Sequence, residues 1–277
     1  MSGKLYVVGT PIGNLGDLSP RAREVLESVD FIAAEDTRVT AKLLNYFSIK
    51  KEMVSYYEHN KTDKGQKIID RIANGQTAAV VSDAGMPAIS DPGEDLVRLA
   101  HENGVAVESV PGPSAFVTAL AISGMPSARF CFEGFLSAEK NERRRRLSDV
   151  AEDTRTLIFY EAPHKLVATL KDMAEILGER EIAIVRELTK LHETVFRTTL
   201  FAAVEYYKEN EPRGEYVLIL RGAEEKAAPQ YSLEDAVKMA LLEVKSGQSA
   251  SAAAKAAANF TGLKKGDIYR RMMEENS

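Results

Sequence analysis

At 277 residues, 44% of them apolar, the chain has the length of two ordinary domains and the composition of a globular protein. Its 41 acidic against 36 basic side chains leave a net charge of −5, which argues against indiscriminate nucleic-acid binding but allows a local basic surface. No apolar run reaches about 18 residues and the start lacks a signal-peptide pattern, so no membrane span and a cytoplasmic location are expected. The single cysteine, Cys131, can form no internal disulfide; set between Phe130 and Phe132, it reads as a buried structural thiol. Four histidines, at 59, 101, 164 and 192, show no ligand spacing, and no metal site is expected.

Strand and helix patterns alternate through the first half. Residues 4–8 read as a strand ending at Gly9, followed by a glycine-rich loop to Leu18. Ser19-Pro20 then opens a helix, with serine as cap and proline at the first helical position. A second strand, 31–34, runs into Glu35-Asp36-Thr37-Arg38 and a helix through Leu43 and Leu44. Residues 56–61, polar and aromatic, read as a loop; 64–74 reads as a helix stopped by Gly75. The uncharged run 77–81 reads as a buried strand, and Ser82-Asp83-Ala84-Gly85-Met86-Pro87-Ala88-Ile89-Ser90-Asp91-Pro92-Gly93 follows it. A helix with an acidic first turn and a strand over 106–110 come next. This alternation predicts a parallel α/β sheet. The loop 82–93 is far longer than the roughly 2–6 residues of a plain connection. It also lies at the carboxyl edge of a strand, where open α/β sheets bind ligands.

Pro111-Gly112-Pro113-Ser114-Ala115 and Gly124-Met125-Pro126 bracket a helix and mark a domain boundary. Beyond it, strands over 130–136, 156–160, 181–185, 194–198 and 216–220 mix with helices over 139–150, 166–177 and 201–208, and a mixed sheet is expected. Residues 223–230 read as a linker. Helices over 233–244, 249–259 and 264–273 follow, the last two joined at Phe260-Thr261-Gly262-Leu263 in a helix-turn-helix pattern that suits nucleic-acid binding and a helical cap or dimer contact equally. The expected layout is an N-terminal α/β domain at 1–115, a second α/β domain at 116–224 and a helical tail at 231–277.

The first loop, Gly9-x-x-x-Gly13-x-x-Gly16, is neither the G-x-G-x-x-G dinucleotide fingerprint nor a P-loop, which makes a nicotinamide dehydrogenase an unsuitable reading. Taken together, Gly9-Thr10-Pro11-Ile12-Gly13-Asn14-Leu15-Gly16-Asp17, Ala34-Glu35-Asp36-Thr37-Arg38, Ser82-Asp83-Ala84-Gly85-Met86-Pro87, Val110-Pro111-Gly112-Pro113-Ser114-Ala115, Glu133-Gly134-Phe135-Leu136, Tyr160-Glu161-Ala162-Pro163-His164 and Arg186-Glu187-Leu188-Thr189-Lys190 resemble the tetrapyrrole methylase superfamily. The resemblance covers residues 4 to about 222. It implies a homodimer of chains with two α/β domains and S-adenosyl-L-methionine held in the cleft between them. It implies cofactor contacts from Pro11, Asp83, Ala84, Gly85, Met86, Ile89, Ser114, Ala115, Phe135, Leu136, Glu161, Ala162, Leu188, Gly214 and Glu215. The first loop departs from the small-molecule members by carrying Ile12-Gly13-Asn14-Leu15. That favours the RNA-modifying subgroup, which methylates a cytidine ribose 2′-hydroxyl of small-subunit ribosomal RNA. Methylation of a tetrapyrrole and a non-catalytic RNA-binding assembly factor are the alternatives.

A ribose hydroxyl must lose its proton as it takes up a methyl group. Asp36, at the tip of the second strand, is the first candidate acceptor and Lys190 the second; Asp36 suits a helix cap equally well. Contacts to RNA phosphate are expected from Lys140, Arg143, Arg144, Arg145 and Arg146, although a solvated helix face is the ordinary fate of such a run. Arg38, His59 and Asn60 are candidates for the mouth of the cleft.

Overall fold

The structure, a computed structural model, describes residues 3–91, 93–225 and 231–275. The chain up to Ala223 forms one compact unit and the chain from Glu224 a second. In the first half of the first unit, β1 (Lys4–Val8), α1 (Pro20–Ser28), β2 (Phe31–Ala34), α2 (Thr37–Tyr46), β3 (Glu52–Ser55), α3 (Lys61–Ala73), β4 (Thr77–Val81), α4 (Gly93–Glu102) and β5 (Ala106–Val110) follow one another. The strands make an all-parallel sheet in the order β3-β2-β4-β1-β5. A parallel sheet is covered on both faces, so its central strands are apolar throughout. All four residues of β2 and Ala78 to Val81 of β4 are buried accordingly. One face packs on Ile68, Ile69 and Ile72 of α3 and Leu96 of α4, the other on Ala22 and Leu26 of α1 and Leu44 of α2.

The strand order reverses between β1 and β4, and ligands bind in the crevice outside the strand ends at such a point. Three loops meet there. The Thr10 N–H donates to the Gly85 carbonyl at 2.9 Å and the Gly85 N–H to the Thr10 carbonyl at 3.1 Å; the Gly9 N–H donates to Val110 at 3.1 Å. Gly9 and Gly112 cross back to back. A Cβ on Gly9 would lie 2.6 Å from the Gly112 Cα, too close for any side chain.

The second half contributes α5 (Ala115–Ser123), β6 (Phe130–Phe135), α6 (Lys140–Asp149), β7 (Thr156–Glu161), α7 (Pro163–Leu177), β8 (Glu181–Arg186), β9 (Thr194–Thr199), α8 (Leu200–Glu209) and β10 (Tyr216–Leu220). Their sheet, in the order β6-β7-β10-β8-β9, is mixed: β6 and β7 are parallel and the remaining pairs antiparallel. One face is covered by α6, α7 and α8 through Leu147, Leu166, Leu170, Met173 and Leu200. The other is covered by Ala119 and Leu120 of α5 and by Ile12, which arrives from the β1 loop of the first sheet and packs with Val185, Leu188 and Val217. Arg143 of α6 is drawn under the helices by Asp172 of α7, the guanidinium 2.7 Å from the carboxylate.

In the second unit, α9 (Leu233–Lys245), α10 (Ala250–Thr261) and α11 (Lys265–Glu275) enclose a small core of Ala236, Val237, Ala240, Ala253, Ala254, Ala257, Ile268 and Met272. Ser232 and Asp235 form a capping box at the start of α9, and Gly262, at φ 74°, turns α10 into α11. The expected helix-turn-helix is therefore present. Residues 226–230 of the expected linker lie outside the described residues. Two further differences separate expectation from structure. The short edge strand β3 has too few apolar residues to be read from its pattern, and α3 begins at Lys61.

Ile12 comes from the loop after β1 of the first sheet and is buried in the core of the second, joining the two. Ile12→Ala is expected to lower unfolding stability by about 2–5 kcal/mol, the usual cost of emptying such a site. Denaturant unfolding followed by circular dichroism measures it; a loss below about 1 kcal/mol contradicts the joining role.

Candidate active site

At the crevice the two sheets enclose a cavity of about 620 Å³. The first sheet contributes Ile12, Glu35 and the loop from Ser82 to Met86 with Ile89, Ser90 and Asp91; Ser114 and Ala115 lie at the start of α5. The second sheet contributes Phe135, Tyr160, Glu161, Ala162, Pro163, His164, Val185, Leu188, Glu215, Tyr216 and Val217. Of the residues expected at a cofactor, Asp83, Ala84, Gly85, Met86, Ile89, Ser114, Ala115, Phe135, Glu161, Ala162, Leu188 and Glu215 share this one hollow. Pro11, Leu136 and Gly214 are each the chain neighbour of a lining residue, and Leu136 is itself buried in the core behind the wall.

Three elements fix the polar groups. Glu35 directly follows β2, Asp83 lies just beyond β4, and these neighbouring strands bring the two carboxyls together. The Asp83 N–H donates to Glu35 Oε2 at 3.4 Å, and Asp83 Oδ1 accepts from the Asp36 N–H at 3.0 Å. Burial pushes the Glu35 carboxyl above its ordinary value, and the nearby Asp83, Asp91 and Asp36 charges add to the shift against the Asp83 N–H. Asp83 is raised likewise, by burial first and by Asp36. On the opposite wall Glu161 is buried, accepting from the Ala162 N–H at 2.8 Å and from the Thr169 hydroxyl, and pairing with Lys165 at 3.0 Å. The Tyr160 Oη accepts from the Phe116 N–H at 3.1 Å, and burial raises its phenol.

Asp36 is the N-cap of α2, accepting from the Arg38 N–H at 2.8 Å and from its guanidinium at 2.6 Å. Those bonds hold its carboxyl down at about 2, a weak proton acceptor, and it is not among the lining residues. Lys190 is pushed down by burial, but Glu215 at 2.7 Å and Glu187 at 3.0 Å outweigh that, and its amine is raised overall. A lysine so paired stays protonated and cannot accept a proton.

The basic run is mostly committed within the protein. Arg143 is the clear correction: its side chain is 7% exposed and tied to Asp172, so it cannot reach a phosphate. Arg144 pairs with Asp172 and Glu175, and Arg146 with Glu133, leaving Lys140 and Arg145 on the exposed face of α6. Asn60 is spent on its own turn, accepting from the Tyr57 N–H and donating to the Ser55 carbonyl. His59 is exposed against Tyr57, and Arg38, 88% exposed, is the nearest of these groups in sequence to the cavity wall. Cys131 is half-buried, its thiol donating to Glu133 at 2.9 Å and raised by that bond. Among the described residues no group of His, Cys, Asp and Glu is placed to hold a metal ion, and no helix is long and apolar enough to cross a membrane.

Sequence reasoning overlooked Val185, Tyr216 and Val217, which reach the cavity only because β8 and β10 pair antiparallel with Val217 opposite Val185. It named Glu35 only as part of the stretch Ala34-Glu35-Asp36-Thr37-Arg38 and gave it no role. Its position directly after a buried apolar strand was the available signal.

Comparison with known proteins adds to this geometry. The family described as Tetrapyrrole (Corrin/Porphyrin) Methylases matches residues 4–204. A Synechocystis sp. protein named ribosomal RNA small subunit methyltransferase I is 44% identical over 273 residues, 98% of each chain. A protein of the same name from Thermotoga maritima is 47% identical over 222 residues, 80% of this chain and all of that one. Among solved structures, uroporphyrin-III C-methyltransferase from Thermus thermophilus, complexed with S-adenyl homocysteine, is similar in fold, with a TM-score of 0.55 and 20% identity over 79% of this chain and 97% of that one.

A carboxyl whose value is raised by folding favours the fold when protonated. That contribution is present below the ordinary carboxylate range and is lost as pH rises through the raised value of Glu35. Glu35→Gln resembles the protonated form at every pH. Thermal unfolding is therefore expected to show a gain on the order of 1–3 °C at neutral pH that disappears in acid.

Proposed function

Because this chain belongs to the tetrapyrrole (corrin/porphyrin) methylase family, we propose that its cavity binds S-adenosyl-L-methionine and that it methylates small-subunit ribosomal RNA at a cytidine ribose 2′-hydroxyl. The observation that carries this reading is the end-to-end similarity to relatives named ribosomal RNA small subunit methyltransferase I. The cavity suits the cofactor in size and chemistry: apolar walls from Met86, Leu188 and Val217, main chain from 83–86 and 114–115, and the carboxyls of Asp83 and Glu161 for a cationic, hydroxyl-bearing ligand.

When bound, S-adenosyl-L-methionine supplies a methyl group already activated on a cationic sulfur, so the chemistry itself demands no metal. The work left to the chain is alignment of the hydroxyl and removal of its proton. Glu35 is the group suited to that removal. It faces the cavity, its raised carboxyl makes it a better acceptor than an ordinary carboxylate, and Asp83 at its side disfavours a second negative charge. Asp36 keeps the part of a cap, holding Arg38 at the edge of the site, and Lys190 braces the loop through Glu187 and Glu215. Lys140, Arg145 and Arg38 are the cations in reach of an RNA backbone on the surface.

The proposed homodimer rests on α5. Its residues are mostly apolar, Val117 and Ile122 remain exposed, and so does Phe130 of the edge strand β6, whose ring stands 6.3 Å from that of Phe116. A second copy of the same face is the natural cover for it.

Labelled S-adenosyl-L-methionine incubated with small ribosomal subunits is expected to yield a methylated cytidine ribose, identified by nuclease digestion and mass spectrometry. Transfer to a porphyrinoid and not to the subunit overturns the reading. Glu35→Gln is expected to lower kcat by about 10²–10⁴ while leaving cofactor affinity in place. Ile122→Arg is expected to give a monomer in analytical ultracentrifugation; an unchanged mass removes this face from the dimer.

A further inference from the structure

The cavity and all the residues that line it lie in the first unit, which ends at Ala223. The Thermotoga maritima relative is matched along its whole length by 222 residues, so a protein named for this methylation is no longer than that unit. What α9, α10 and α11 add is therefore separate from the transfer of the methyl group, and their surface serves another purpose.

That surface is cationic in a chain whose net charge is −5. From Lys245 to Arg271 the sequence carries six basic side chains, Lys245, Lys255, Lys264, Lys265, Arg270 and Arg271, against one acid, Asp267. α10 holds no acidic residue, and Ala252, Lys255, Ala256 and Asn259 form an exposed face at helical spacing. A face left to water ordinarily carries charged side chains; small ones beside a single lysine let a partner come close. The turn at Gly262 leads into α11, whose first residue meets the start of α10: the Lys265 ammonium donates to Ser251 Oγ at 2.9 Å. Ile268 and Met272 are buried in the small core, which leaves Tyr269, 39% exposed, and Arg270 on the outer side of α11. Arg270 stands 3.9 Å from Asp267, a loose pair, and Lys255 and Lys264 make no ion pair among the described residues. The arginines of α6, by contrast, are mostly spent on carboxylates. The helix-turn-helix keeps its positive charge for something outside the chain.

We propose that the face formed by Lys255, Lys264, Lys265, Tyr269 and Arg270 docks on the RNA of the small ribosomal subunit, away from the nucleotide that is methylated. Ammonium and guanidinium groups neutralise phosphates and release their counterions. The Tyr269 ring among them offers an unpaired base a surface to stack on. In a helix-turn-helix the second helix commonly meets nucleic acid through its first turns, and here those turns carry Lys265, Tyr269 and Arg270. A second point of attachment raises the local concentration of the acceptor at the cavity without entering the chemistry. The inference rests on the RNA-methylating reading.

The test uses the full chain and compares wild type with a triple variant (Lys255→Gln, Lys264→Gln, Lys265→Gln), its conservative counterpart (Lys255→Arg, Lys264→Arg, Lys265→Arg) and Tyr269→Leu. Steady-state methylation of small ribosomal subunits gives KM and kcat. Filter binding to subunits and to protein-free small-subunit RNA, over a range of salt, gives affinity and its salt slope. The glutamine variant is expected to raise KM about 10- to 100-fold and to flatten the slope of log K against log salt by about 2–3, with kcat at saturating subunit within about twofold. The arginine variant is expected to keep the wild-type KM and slope. Tyr269→Leu is expected to raise KM roughly tenfold at an unchanged slope. The docking face is overturned if KM and slope stay unmoved in the glutamine variant, or if kcat falls in place of a rise in KM. It is equally overturned if binding is lost to subunits but not to protein-free RNA, which gives the face to a ribosomal protein. A changed mass of the glutamine variant in analytical ultracentrifugation overturns it as well, giving the face to a second copy. Failure of the wild type to methylate any subunit overturns the functional reading itself and is seen before any variant is compared.

Discussion

Everything in the first unit depends on how the loop after β1 is held. It is hydrogen-bonded to the loop after β4 through the reciprocal Thr10–Gly85 pair, and two residues later it drives Ile12 into the core of the other sheet. The pair fixes the loop to its own sheet; burial of Ile12, worth roughly 1.5–3 kcal/mol, fixes the second sheet to the loop. A cavity between two sheets keeps its shape only when something spans them, and here one short stretch does so from within the wall.

The charges follow the same division. Around the helices, arginines and carboxylates neutralise one another: Arg143 and Arg144 with Asp172, Arg146 with Glu133. In the cavity, Glu35 and Asp83 accept from main-chain N–H groups and make no close ion pair among the described residues; burial is the first cause of their raised carboxyls, and at Asp83 the Arg38 charge offsets part of it. A polar wall without its own counter-charge costs stability when empty and gains when a cationic ligand arrives.

Much of this was legible from residues alone. Uncharged runs of four and five residues marked the parallel strands β2 and β4, since a strand covered on both faces admits no alternation. The long loop with Asp83 and Gly85 marked the ligand edge. What escaped has a common cause. The acceptor role of Asp36 could not be judged without seeing Arg38 fold back on it, and the fate of Arg143 depended on Asp172, 29 residues away in sequence. Val185 and Val217 belong to the wall through strand pairing, which no local pattern encodes. The register shift between Phe132 and Gly134 in β6 inverts the alternation on which strand reading relies and brings Phe135 to the cavity.

The crossing of Gly9 and Gly112 has a consequence for how such a protein can diversify. Behind the cavity the main chain lies against main chain, and a Cβ on Gly9 would also meet the Met86 sulfur at 2.7 Å. That region offers evolution no side chain to exchange. Its contour is set by peptide geometry, and new acceptor preferences have to be written at the rim, where loops carry replaceable groups.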